Sequence, residues 1–107
     1  MKRKSFAILG LGIFGSTMAK TLSEYGYDVI GVDLDSTNVD RVSEFATQAV
    51  QADFTDIDQL RVIGVQDVDV AVIATGSKLE ASVMAVLHLK ELGVPFIMAK
   101  AKNKVYM

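Results

Sequence analysis

Three glycines stand at a spacing that suits phosphate chemistry. Gly10-Leu11-Gly12-Ile13-Phe14-Gly15 reads G-x-G-x-x-G. Such a loop is informative only between a strand and a helix. Here it follows the β-rich run Phe6–Leu9 and opens a segment of helical spacing at Phe14. Gly10 permits a tight turn out of the strand, Gly12 lets a pyrophosphate approach the backbone, and Gly15 lets helix and sheet pack closely. The helix start then offers unpaired N–H groups and a positive dipole end to an anion. The alternative is a loop that the fold keeps without using.

Asp33 ends the run Val29–Asp33, close to the ~20-residue offset expected after the glycines. A carboxylate there can accept from both ribose hydroxyls of an adenosine, and it repels a 2′-phosphate. NAD, NADH, ATP, ADP or AMP are thereby favoured over NADP. A plain turn aspartate is the competing reading, and Asp35 suits that turn or cap role better. Asp53 closes Gln51-Ala52-Asp53 on the same sheet edge. It either accepts from the adenine end of the ligand or caps the next helix. Leu34 and Phe54, beside these two acids, join the candidate binding residues with Ile13 and Phe14. Thr75 and Gly76 close the fourth strand and line the crevice expected at a topological switch point. Lys100, after the fifth strand, can reach a phosphate, whereas Lys102 and Lys104 read as solvated.

Other chemistries are poorly served. There is no cysteine, which removes disulfides, thiolate nucleophiles and Cys-based metal sites. The one histidine, His88, lies in an apolar helical segment and reads as a packed or rim residue. The acid pairs Asp56/Asp58 and Asp67/Asp69 fall on turns and helix starts without His or Cys nearby. No catalytic or metal-ligating residue is assigned. Lys plus Arg number 11 against 13 Asp plus Glu, a net charge of −2, so no basic face for nucleic acid is expected.

These residues need a scaffold, and the apolar pattern supplies one. Strand-like runs occur at Phe6–Leu9, Val29–Val32, Ala49–Val50, Val68–Ala74 and Phe96–Ala99. Helical spacing covers Phe14–Tyr25, Asn38–Phe45 with Ser36 or Thr37 as N-cap, Asp56–Ile63 from Thr55 or Asp56 to Gly64, and Leu79–Leu92 from Ser77 to Gly93. The alternation predicts an α/β fold, a Rossmann-like doubly wound parallel sheet of five strands in the order 3-2-1-4-5. The 107 residues fit one domain, 1–107. The helix Leu79–Leu92 has consecutive apolar residues Val83 to Leu87, which a one-sided surface helix should not show; either the rest of this domain buries it on most sides or, the favoured reading, it meets another subunit or domain. The basic start Met1–Lys4 before an apolar run mimics a secretory signal, but its glycines and the absence of a cleavage site favour the cytosol. No run reaches the roughly 18 apolar residues of a membrane span.

The quoted glycine loop, together with Gly31-Val32-Asp33, Ala52-Asp53, Val72–Gly76, Lys90–Gly93 and Ala99–Asn103, resembles the RCK N-terminal (KTN) domain. Proteins of this family regulate K⁺ channels and Ktr/Trk-type K⁺ uptake systems. The resemblance covers nearly the whole chain. It implies a cytoplasmic regulatory module without catalysis, peripheral to the membrane through a membrane-embedded K⁺ channel or transporter subunit. It also implies homodimers that assemble into an octameric ring, with NAD/NADH or ATP/ADP as regulatory ligand. The glycine loop would hold phosphates, Asp33 the ribose, Asp53 the adenosine end and Lys100 a phosphate, and Leu79–Leu92 would pair subunits. Two departures stand out. Ile13 occupies a position where the family often has arginine, which tilts the ligand toward a dinucleotide. The sequence also stops at Met107, short of the further elements such proteins carry, so truncation at the C-terminal end is expected. The rival readings are the cofactor half of an NAD-dependent dehydrogenase and an NAD-linked redox sensor joined to a DNA-binding domain.

Overall fold

A computed structural model describes residues 3–75, 79–101 and 104–106. Strands β1 (Ser5–Leu9), β2 (Asp28–Asp33), β3 (Gln48–Gln51), β4 (Val70–Ile73), β5 (Phe96–Ala101) and β6 (Lys104–Tyr106) form one sheet in the order β3-β2-β1-β4-β5-β6. The first five strands run parallel, in the predicted 3-2-1-4-5 order. The sixth is an addition to the expected sheet. It turns back antiparallel on β5, pairing Ala99 with Tyr106 and Lys100 with Val105.

Helices α1 (Ile13–Glu24) and α2 (Ser36–Ser43) cover one face, and α3 (Ile57–Ile63) and α4 (Leu79–Glu91) the other. Both faces of the sheet are therefore buried, and the strands read as short continuous apolar runs. Along β1 the side chains alternate between the two cores. Ala7 and Leu9 pack with Leu60, Ala85 and Leu89, while Ile8 packs with Ala19, Val39 and Val42.

Local chemistry sets the helix ends. Asp35, not Ser36 or Thr37, caps α2: its side chain accepts from the N–H of Thr37 at 2.9 Å. Ser36 and Thr37 lie inside the first turn because the shorter reach from Asp35 already satisfies an amide there. Asp56 caps α3 by accepting from Asp58 and Gln59, and Gly64, in the left-handed region, ends it. The capping role assigned to Ser77 falls outside the described residues. The strand β4 begins later than its apolar run suggests, because Val65–Asp67 forms a 3-10 turn and the Asp69 carboxylate binds the N–H and hydroxyl of Ser5.

Among the described residues, no helix is long and apolar enough to cross a membrane. Helix α4 buries Ala85 and Leu89 but leaves Leu79, Val83, Met84 and Leu87 exposed.

Candidate functional site

Register places the strand ends on one edge. Leu9 pairs with Val32 and with Ile73, Asp33 with Gln51, and Ile73 with Ala99. The loops leaving the parallel strands therefore meet at one end of the sheet. The chain order reverses between β1 and β4, and Ala74 N–H donates to Leu9 O there at 2.8 Å. A cleft of about 660 Å³ opens at this point. Of the sequence-predicted residues, Gly10, Gly12, Ile13, Phe14, Asp33, Leu34, Asp53, Phe54, Thr75 and Lys100 all line it. Gly76 lies outside the described residues.

The glycines divide the work. Gly10 has φ of 100°, a conformation that L side chains rarely adopt. Gly15 is buried inside α1, away from the cleft lining, and a Cβ there would collide with the carbonyl oxygen of Gly10. Glycine is required there by packing. Gly12 differs from both. Its φ of −69° is open to any residue, and a Cβ built on it meets no atom of the described residues within 4 Å. Neither backbone nor packing requires glycine there. Gly12 is also the N-cap of α1, and among the described residues no side-chain cap takes up the free amides. Helix N-terminal amides without intrahelical partners suit an external anion.

Asp33 sits at the joint of this loop. Its Oδ2 accepts from Leu11 N–H at 2.7 Å and from the Asn38 side-chain amide at 3.3 Å, and its Oδ1 accepts from Asp35 N–H at 2.8 Å. The carboxylate thus holds the turn while lining the cleft. Asp53 accepts from both the N–H and the hydroxyl of Thr55, at 2.9 and 2.6 Å. The Thr55 hydroxyl, then the Thr55 N–H, hold its carboxyl below the usual aspartate range, against the opposing effect of burial. Asp53 N–H donates to Gln59 Oε1 at 2.9 Å. It orders the turn before α3, while Asp56 does the capping.

Lys100 Nζ lies 5.0 Å from the centroid of the Phe14 ring, within cation–π range. It is the one cation among the described residues lining the cleft. Ile13 is 87% exposed at the first turn of α1. Sequence reasoning missed Leu11, Asn38, Thr55, Ala74 and Ala81, which also line the cleft. Asn38 was legible in part: it lies one turn into α2, five residues from Asp33, on the side facing back to β2.

A family model described as the TrkA-N domain matches residues 6–107. The chain is 41% identical over 101 residues to Ktr system potassium uptake protein C of Bacillus subtilis, covering 94% of this chain and 46% of that one. It is 37% identical over 103 residues to Ktr system potassium uptake protein A of the same organism, covering 96% and 46%. The chain thus spans about half the length of these relatives. Among solved structures, the NAD(P)-binding domain of an exopolyphosphatase-related protein from Archaeoglobus fulgidus superposes with a TM-score of 0.76 at 22% identity, covering 91% of this chain and 72% of that one. The Kef C-terminal domain of Shewanella denitrificans in its AMP-bound form gives 0.74 at 23% identity, covering 90% and 58%. At these identities the two structures establish the Rossmann-like fold.

Proposed function

The chain belongs to the TrkA-N domain family, the RCK N-terminal domain its motifs resemble, and from that premise we propose that it is a regulatory nucleotide-binding module of a K⁺ uptake system. Its ligand is an adenine nucleotide, NAD/NADH or ATP/ADP, held in the cleft at the β1–β4 switch point. The single observation that carries this reading is Gly12. The protein itself makes no demand for glycine there, and the vacant Cβ position lies at the mouth of uncapped helix amides. A pyrophosphate against the backbone supplies the demand.

The residue roles rest on charge and position. The amides of the loop and α1 hold the phosphates, with Lys100 as the supporting cation. Asp33 receives the ribose. A carboxylate offers about four lone-pair sites, and three already accept hydrogen bonds. One hydroxyl can be added directly, and a second displaces the Asn38 amide, the longest of the three at 3.3 Å. Leu34 and Phe54 provide apolar contact beside the adenosine, and Asp53, ionised at neutral pH, accepts from its adenine end. Ile13 offers no charge to a terminal phosphate, which favours a dinucleotide over ATP.

The module performs no chemistry of its own. It acts through a membrane-embedded K⁺ channel or transporter subunit, from the cytoplasmic side. Homodimers pair through the outward face of α4, where Leu79, Val83, Met84 and Leu87 are exposed, and assemble into an octameric ring. The ligand shifts the assembly only by its differential affinity for two arrangements of the ring. The deciding experiment is thermal-shift fluorimetry with ATP, ADP, AMP, NAD, NADH and NADPH, followed by calorimetry on whichever bind. The expected result is stabilisation by at least one of the first five and none by NADPH. A shift with NADPH alone, or with nothing, overturns the reading.

A further inference from the structure

Helix α4 touches the cleft in two ways. Ala81 lines it directly, and seven residues further along the same side His88 Nε2 lies 2.9 Å from the carbonyl oxygen of Thr55. A carbonyl only accepts, so Nε2 is the donor, in the neutral ring or the charged one. Thr55 belongs to the wall segment Asp53-Phe54-Thr55, all three of which face the cleft. The segment is knitted from two other sides as well, by Thr55 donating to Asp53 and by Gln59 accepting from Asp53 N–H. Ser82 Oγ also reaches the Thr75 carbonyl, at 3.4 Å, on the opposite wall. The stripe Ala81, Ser82, Ala85, His88 and Leu89 has the spacing of one helix face. The other face carries exposed Val83, Met84 and Leu87.

We propose that His88 is a positioning residue, fastening the Asp53–Thr55 wall of the cleft to α4 so that the state of the cleft bears on that helix and its apolar outward face. The link to a nucleotide rests on the function proposed above; the link between His88 and the wall does not.

The test uses His88→Leu, which keeps bulk and helix propensity but has no donor, and His88→Gln, whose side-chain amide nitrogen reaches the place of Nε2. Amide hydrogen exchange is followed by mass spectrometry on the full chain without nucleotide. In the leucine variant, exchange at 53–56 accelerates about fivefold, as expected for one lost hydrogen bond, while segments 6–9 and 70–73 keep their protection. Glutamine restores the original rate at 53–56. With ADP and NADH as probes in calorimetry, the leucine variant binds about fivefold more weakly, and the glutamine variant binds like the parent. Unchanged exchange at 53–56 in His88→Leu overturns the proposal. So does equal acceleration in both variants, which reduces His88 to packing. If the parent chain binds none of ATP, ADP, AMP, NAD and NADH, the proposed function fails, and the exchange result alone decides His88.

Discussion

The Asp33 carboxylate accepts the backbone N–H of Leu11 at 2.7 Å, so the end of β2 holds the middle of the glycine loop. The same group bonds Asp35 N–H and the Asn38 amide. One side chain thereby sets the loop, the turn into α2 and the acidic corner of the cleft. The binding role proposed for Asp33 therefore falls on a residue that also holds the architecture.

Asp33→Ala is therefore expected to cost stability as well as affinity. Loss of charge-assisted bonds to backbone amides is worth about 2 kcal/mol, or a melting point lower by roughly 10 °C for a domain of this size. Adenine nucleotides should no longer raise the melting point. Asp33→Asn keeps one acceptor oxygen and removes the negative charge, so it should fall between the two and admit NADPH. An Asp33→Ala variant that melts like the parent would show that the Leu11 bond does not hold the loop.

Gly12→Asp should separate fold from ligand. Gly12 occupies the N-cap of α1 with φ of −69°, and its Cβ direction is open. Aspartate is a favoured N-cap and complements the helix dipole, by about 0.5–1 kcal/mol. The variant is expected to melt at or above the parent temperature while losing nucleotide binding, because its carboxylate takes the place of a phosphate. Calorimetry that finds parental affinity in a folded Gly12→Asp protein contradicts the loop's assigned role.

Gly15→Ala is the opposite case. The added methyl would meet the Gly10 carbonyl oxygen, a backbone atom, with Ala74 Cβ at 3.1 Å behind it. Nothing there is the flexible end of a side chain. Overpacking of this kind typically costs about 1–3 kcal/mol or more, and the expected outcome is loss of thermal stability before any effect of ligand is measured. A variant as stable as the parent in urea denaturation would mean that α1 can shift away from β1 without penalty.

The sheet order and the cleft were legible because both rest on patterns that repeat along the chain. Apolar runs alternate with helical spacing, and the residues that follow β1, β2, β3 and β4, among them Gly10, Leu34, Asp53 and Ala74, line the cleft. The Leu11–Asp33 bond was not legible, since a buried leucine gives no sign that its amide is used. Gly31, in the middle of β2, was the available signal: a Cβ there would press on Leu11 and Val42. Asp35 was legible for a turn or cap role, but the run of three capping residue types favoured Ser36 or Thr37 as the α2 cap. Strand β6 was missed because Lys104-Val105-Tyr106 is too short to carry a period.

Acid should loosen the cleft wall at Asp53. Its folded pKa lies below the ordinary value of 3.8, chiefly because the Thr55 hydroxyl and amide bond the ionised form. In the unfolded chain the group protonates first, so between the two pKa values the unfolded state binds more protons and stability falls with falling pH. The contribution of Asp53 is then complete above about pH 5 and is lost as pH drops through 3.8 toward the folded value. Thr55→Ala removes the larger of the two causes. Carboxyl titration by NMR should find Asp53 nearer its ordinary value in that variant, and the stability gap between parent and Asp53→Ala should be flat from pH 7 to about 5 and then narrow. A gap that widens on acidification would mean that the protonated form is the one the Thr55 turn prefers.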